Sequence, residues 1–398
     1  MMKLFDAHCH LQDPRIFKVA PQLIKTALNA GVVHFAVNGI SEKDWNLVKE
    51  MSDDYPSIVP CFGLHPWFVA ERTDSWLNSL KDFLRATPSA AVGEIGLDKG
   101  FQGRKTDFKD QVEIFRQQLE LAKELKRPAS IHCVHAFGDL LQIMKATGPF
   151  PAGVILHSYL GSAEMVPEFT KLGAYFSFSG FLMSMKENKA KKMLKAVPSE
   201  RILLETDAPD ALPEVHNLDT LFFIDTDSSV PEELRVQGEN STPSDVSPSE
   251  RPSPGASDSS AVPKETLNHP ANILNILTYV ASLLELNEEE LAELSYRNAV
   301  RLFSYADSKP LPYTSISRRR AANGDMEYSF EFEGLFSLCT AASRQPLVFF
   351  SRSYNPGSKD TLVHRCYGSS QESEDGRSTL ELMRTGNSAS NGVSILLS

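Results

Sequence analysis

The sequence predicts an α/β fold, a closed (β/α)8 barrel, and three observations predict it. Eight short apolar runs recur between the first residues and position 205. Amphipathic stretches with helical spacing separate them. The chain has 398 residues, enough for a barrel of about 250 residues with segments to spare.

The runs lie at 4–6, 32–37, 58–63, 91–95, 129–132, 154–157, 174–178 and 201–205. They are too short and too apolar for half-solvated antiparallel strands and read as strands buried on both faces. The clearest intervening helix places Phe108, Val112, Phe115, Leu119, Ala122 and Leu125 at spacings of three and four, with charges between. Lys126 and Arg127 close it, where cations suit the helix dipole, and Pro128 stops it. Strict alternation of strand and helix favours the closed barrel, with an open doubly wound sheet as the alternative.

After the eighth run the pattern breaks. Segment 214–266 is rich in Ser, Pro, Asp and Glu and buries too little apolar surface to offset ordering entropy, so a disordered insertion is expected there. Helical periodicity resumes over 271–284 and 288–303, the latter capped by Asn287 with Glu288, Glu289 and Glu290 in its first turn. The barrel domain is therefore expected over 1–305, interrupted by that insertion, and 306–398 as an irregular, flexible C-terminal tail. Arg318, Arg319 and Arg320 within it read as a solvated run rather than a nuclear-import patch.

Composition narrows the class. No stretch of about 18 uncharged apolar residues suggests a membrane span. The first residues lack the apolar core of a secretory signal, so a cytoplasmic or nuclear location is expected. Five cysteines, an odd number without a CxxC pair, argue for free thiols rather than disulfides or a thiolate zinc site. A net charge of −11 excludes a general basic footprint for nucleic acid, so a phosphate ligand has to be held by local basic groups or bound cations. A monomer is expected, with the insertion or the tail as the place for a protein partner.

The chemistry sits at strand ends, which converge on one face of a barrel. The first strand runs into Asp6-Ala7-His8-Cys9-His10, and in extended backbone positions i and i+2 point the same way, so His8 and His10 can grip one ion. The fourth offers Glu94, the fifth His132, the sixth His157 and the eighth Asp207. Any one of these is more often a structural residue. Four imidazoles and two carboxylates at five strand ends are another matter, because buried polar groups need partners. A nitrogen and carboxylate set without thiolate suits Zn2+, Mn2+ or Mg2+. Six ligands exceed what one open tetrahedral ion takes and suit two divalent metal ions bridged by a carboxylate. The expected assignment is His8, His10 and Asp207 on one ion, His132 and His157 on the other, and Glu94 between them.

Asp6-Ala7-His8-Cys9-His10-Leu11, Gly63-Leu64-His65-Pro66, Gly93-Glu94-Ile95-Gly96-Leu97-Asp98, Ile131-His132, His157, Glu205-Thr206-Asp207-Ala208-Pro209 and Arg297-Asn298-Ala299-Val300-Arg301-Leu302-Phe303 together resemble the TatD family of metal-dependent deoxyribonucleases. Within it, Leu97-Asp98-Lys99-Gly100 and the stretch from His132 to Gly138 resemble the Cut9-interacting-protein-like branch. The resemblance implies a TIM barrel, two divalent metals and nuclease activity on DNA. The chemistry of two bound ions makes Asp207, ligated yet adjacent to the attacking water, the expected general base, with Glu94 bridging and Glu205 supporting the site from behind. His65, Lys99 and Arg104 become candidate substrate contacts. Many relatives carry an Arg two residues after the strand-five His, followed by an acidic residue. Val134 and His135 stand there instead, which makes His135 a candidate substitute for phosphate contact.

Two other functions fit the same residues. One is a phosphotriesterase-like or amidase-like hydrolase, although those relatives often bridge with a lysine on strand four where this chain has Glu94. The other is a scaffold that keeps the barrel and acts through partners.

Overall fold

The computed structural model describes residues 2–215, 217–224, 266–305 and 308, and beyond these the strands given below. The chain divides into two compact units, Met1–Leu311 and Pro312–Ser398.

The first unit is the barrel. Its strands are β1 (Leu4–Cys9), β2 (Val32–Gly39), β3 (Ile58–Phe62), β4 (Ala91–Asp98), β5 (Ala129–Val134), β6 (Val154–Leu156), β7 (Ala174–Phe178) and β8 (Ile202–Leu204). They pair in sequence order, all parallel. The ring closes just past β8, where the Asp207 N–H donates to the His8 carbonyl (2.9 Å) and the His10 N–H to the Ala208 carbonyl (2.7 Å). Every residue of β1, β3, β4 and β7 is buried, the signature of strands with a packed interior on one side and helices on the other.

The helices are α1 (Ala20–Asn29), α2 (Trp45–Asp54), α3 (Trp76–Ala86), α4 (Phe108–Leu125), α5 (Phe137–Thr147), α6 (Val166–Lys171), α7 (Glu187–Ala196), α8 (Ile273–Leu284) and α9 (Glu288–Phe303). In α4 the Asp107 carboxylate caps the Lys109 N–H at 2.8 Å, and Lys126 ends the helix in left-handed backbone. Asn287 caps α9 through the Glu289 N–H (2.7 Å), as its sequence suggests. The Arg-Asn-Ala motif on α9 then explains itself. Asn298 Nδ2 donates to the carbonyls of Ser199 (2.8 Å) and Ile202 (2.9 Å), Ser295 Oγ accepts from the Leu204 N–H (3.0 Å), and Phe303 stacks on Phe5 at 5.0 Å. α9 thus fastens the last strand to the first.

In the second unit, β9 (Ser315–Arg320) pairs antiparallel with β10 (Met326–Glu331). β11 (Leu347–Ser353), β12 (Leu362–Glu372), β13 (Ser378–Arg384) and β14 (Val393–Leu397) form a four-stranded antiparallel sheet in that order. The other residues expected in the tail, and most of the insertion expected at 214–266, lie outside the described residues. Among the described residues no helix is long and apolar enough to cross a membrane, and Cys9, Cys61 and Cys133 are free thiols.

Candidate metal centre

Glu94 is the hub. It lies midway along β4, 3% exposed, and its two oxygens face different pairs of imidazoles. Oε2 is 3.5 Å from His8 Nε2 and 3.4 Å from His10 Nε2. Oε1 is 3.1 Å from His132 Nδ1 and 2.8 Å from His157 Nε2. Asp207 Oδ1 joins the first pair, 3.8 Å from His8 and 3.5 Å from His10. Within each pair the nitrogens stand 3.2 Å apart. A tetrahedron built on bonds of about 2.0 Å has edges of about 3.3 Å, so these separations fit two groups of donors each closing on a divalent ion. His8, His10, Glu94, His132, His157 and Asp207 therefore converge on one place in the barrel.

The backbone brings them there by close approach. Gly96, with φ +147°, passes β5 so tightly that a Cβ would sit 2.0 Å from the His132 carbonyl oxygen. Gly93, with φ +141°, lets β4 lie against Ser130, whose Cβ would be 2.9 Å from an added methyl. Asp207 itself holds left-handed backbone (φ 54°), a costly state for a residue with a Cβ, and its N–H bond to His8 keeps it there.

Three of the four imidazoles are hydrogen-bonded from behind, and the fourth, His157, has a carboxylate behind it. His10 Nδ1–H donates to the Asn38 carbonyl (2.8 Å), leaving the Nε2 lone pair facing the carboxylates. His8 Nδ1 lies 2.8 Å from Ser130 Oγ. His132 Nε2 is 3.3 Å from Asp98 Oδ2, and a carboxylate can only accept, so the proton is on Nε2 and Nδ1 is free to ligate. Asp98 is itself fixed by the Trp67 indole N–H and the Gly100 N–H, each at 2.5 Å. Behind His157, Glu205 Oε1 approaches Nδ1 to 3.5 Å. Glu205 is fully buried and anchored by the Ser158 N–H (2.6 Å), the Ser158 hydroxyl (2.7 Å) and the Ser177 hydroxyl. Asp6 is likewise buried and receives the N–H and hydroxyl of Thr206, tying β1 to the segment that carries Asp207.

The electrostatics are those of a cation site. Burial pushes the Glu94 carboxyl up, yet the imidazoles of His65, His157, His8 and His10 hold it well below the usual carboxylate range. Burial likewise disfavours charge on His10, but Asp207 and Glu94 outweigh it and raise its pKa well above the ordinary value. His157, facing Glu94 and Glu205, behaves the same way, and His132 rises more modestly against Asp98 and Glu94. His8, buried and stacked on His157 at 4.0 Å, is lowered. Asp207 stays ionised because the His10 hydrogen bond prevails over burial. Buried carboxylates that stay charged, ringed by imidazoles drawn toward a positive state, fit a bound divalent cation.

Among the described residues, three side-chain triplets have ligand atoms close enough for one ion: His8, His10 and Asp207; His65, Glu94 and His132; and His8, His157 and Glu205. The first is the expected set. In the second, His65 Nδ1 accepts the Trp67 N–H (3.2 Å) and burial lowers its pKa to about 4, so the neutral ring carries its proton on Nε2. That nitrogen faces Glu94 Oε1 at 3.4 Å as a donor rather than a ligand. In the third, both oxygens of Glu205 are already engaged by serines.

The remaining candidates sit on loops of the same face. Lys99 follows β4 directly, its ammonium 2.6 Å from Asp139 and over the Phe108 ring at 4.2 Å. Arg104 is exposed and donates through Nε to the Lys99 carbonyl at 3.0 Å. His135 is exposed just past β5, in left-handed backbone (φ 53°). Sequence reasoning assigned no role to Asp98, Ser130, Asn38 or Trp67. The only available signal was Asp98 closing the Gly-Glu-Ile-Gly-Leu-Asp motif.

Comparison with known proteins agrees with this geometry. Residues 5–304 match the family described as TatD related DNase. The chain is 33% identical over 210 residues to the uncharacterized metal-dependent hydrolase YabD of Bacillus subtilis, covering 53% of this chain and 82% of that protein. It is 24% identical over 311 residues to the human deoxyribonuclease TATDN3, covering 75% of this chain and 94% of the relative. The crystal structure of YjjV, a TatD homologue from Escherichia coli, superposes with a TM-score of 0.59 at 22% identity, over 76% of this chain and 98% of that one, and shares the fold. Its strand-end motifs, its barrel and this match over three quarters of its length place the chain in the TatD family of metal-dependent hydrolases.

Proposed function

We propose that this protein hydrolyses phosphodiester bonds of DNA with the aid of two divalent metal ions. The observation that carries the reading is the division of Glu94, one oxygen turned to His8 and His10 and the other to His132 and His157. His8, His10 and Asp207 would hold one ion, His132 and His157 the other, and Glu94 both. Bound there, a pair of cations supplies Lewis-acid activation of water and neutralises charge at the phosphoryl group.

The chain's own residues do the rest. Asp207 is 7% exposed, kept ionised by His10, and is the carboxylate placed to take the proton of the attacking water. His65 donates to Glu94 and fixes its orientation, which makes it a positioning residue rather than a substrate contact. Asp98 and Glu205 hold His132 and His157 from behind. Lys99, Arg104 and His135, on loops beside the site, are the groups proposed to meet substrate phosphate, with His135 standing where many relatives have an Arg beside Val134. The name of the TATDN3 relative supports the choice of DNA.

Elemental analysis of purified protein, paired with cleavage assays on DNA, RNA, a generic phosphodiester and small amides, tests the reading. About two equivalents of divalent metal and metal-dependent DNA cleavage are expected, and both should collapse in Glu94→Gln and Asp207→Asn while the fold persists. An amide turned over while DNA stays intact would sink it.

A further inference from the structure

Among the described residues, seven large apolar side chains are exposed, and four of them (Trp67, Phe101, Phe181 and Phe223) lie in segments that follow β3, β4, β7 and β8. They therefore stand on the face that carries the candidate metal centre. Trp67 is the nearest to the chemistry. Its indole N–H is spent on Asp98, the same carboxylate that holds His132. Its ring lies edge-on to His65 at 4.8 Å and to His132 at 6.1 Å. One edge is thus locked into the support of the site, while 43% of the residue remains open to solvent.

A pinned indole cannot fold away to hide its face, so the exposed apolar area is retained at a hydrophobic cost unless a ligand covers it. A flat aromatic ligand attached to a phosphate, the chemistry of a nucleotide, would cover it. Net charge sharpens the point. At −11 the chain has no general electrostatic attraction for a polyanion, so affinity has to come from local contacts, and base–aromatic stacking is one that does not depend on charge. Phe101, 82% exposed, extends the same surface. Its loop precedes the turn Gly103–Lys105, which packs against the Pro66–Glu71 turn bearing Trp67, and Lys105 Nζ stands 5.6 Å from its ring centre.

We infer that Trp67 is the stacking platform for the nucleobase next to the scissile phosphate, and that Phe101 receives the following base. The inference rests on the nuclease reading above and deepens it, because a base offers its face only when unpaired. Trp67 has two separable roles: the ring binds the base, and the N–H positions Asp98 and through it His132.

The test uses the full chain with Trp67→Ala, Trp67→Phe and Phe101→Ala. Binding of a labelled phosphorothioate oligo(dT) is followed by anisotropy and tryptophan quenching, with Mg2+ and again with chelator, beside steady-state cleavage. Trp67→Ala should weaken single-strand binding by about 5- to 150-fold, the effect of losing one stacked base, and abolish the quench. Trp67→Phe keeps a ring but not the N–H, so it should retain most of the affinity while lowering kcat. Phe101→Ala should raise KM and weaken single-strand binding, and an unchanged KM removes Phe101 from the platform. Wild-type protein that binds and cuts oligonucleotide while Trp67→Ala binds as tightly, with folding confirmed by circular dichroism, overturns the inference alone. Wild-type protein that neither binds nor cuts any oligonucleotide overturns the nuclease reading and this one with it.

Discussion

Asp98→Asn is the most informative single change in the support of the site. Asp98 is 3% exposed and accepts from Trp67, Gly100 and His132. Burial pushes its carboxyl up, but the hydrogen bonds from His132 and Trp67 prevail and bring it from 3.8 to about 2. That difference corresponds to about 2 kcal/mol of native stability at neutral pH. Because the folded pKa lies below the unfolded one, the contribution is present above 3.8 and disappears as pH falls through about 2, with roughly half left at pH 3. Asparagine keeps the shape and loses the charge. In chelator, where metal linkage is absent, urea unfolding should show a loss of about 2 kcal/mol at pH 7 and about 1 kcal/mol at pH 3. His132 also loses the anion that keeps its proton on Nε2, so metal affinity or kcat should fall by about 10- to 100-fold. Equal destabilisation at both pH values together with unchanged cleavage would refute the reasoning, because the carboxylate would then be a surface acceptor and no part of the site.

Two further predictions concern the barrel. Asn298→Ala leaves the Ser199 and Ile202 carbonyls without their α9 donor, which should cost about 1–3 kcal/mol and lower Tm by several degrees. Cleavage per folded molecule at 25 °C should not change, and an unaltered Tm would show that α9 does not fasten β8. His34 is 6% exposed beside Phe5 and Tyr296, and burial lowers its pKa from 6.5 to about 4. A lowered histidine pKa means that the unfolded chain takes up the proton first, so stability falls as pH drops from 6.5 toward 4. The loss from this residue is about 1.4 kcal/mol at pH 5.5 and about 0.2 kcal/mol at pH 7, so His34→Gln should make the stability profile between pH 7 and 5.5 shallower by about 1.2 kcal/mol.

The candidate ligands were legible because strand periodicity and barrel geometry constrain them together. Side chains that point inward from a buried parallel strand, or that follow its C-terminal end, converge on one mouth of the barrel; His10, His157 and Asp207 stand past their strands, whereas Glu94 lies midway along β4, not at the strand end expected for it. The extent of the strands was less legible. β4 was expected over 91–95 but runs to Asp98, because Gln111 on α4 accepts the Asp98 N–H (2.9 Å) and donates to its carbonyl (3.2 Å). β5 was expected over 129–132 and continues to Val134, whose carbonyl takes the Lys99 N–H at 2.9 Å. These extensions depend on a side chain of the following helix and on a loop from the neighbouring strand, which a run of apolar residues does not encode.

The order of strands and helices, the barrel and the candidate ligand residues followed from the sequence by itself, since each depends on local periodicity and on residue type. What only the tertiary structure decided is which way those residues point. Asn38, Ser130 and Asp98 each bond an imidazole from a different strand, Glu205 stands behind His157 from just past β8, and the main-chain N–H of Trp67 turns His65 from a possible ligand into a donor toward Glu94. Tautomer and orientation are set by hydrogen-bond partners far apart in the chain, and such pairings exist only once the barrel has closed.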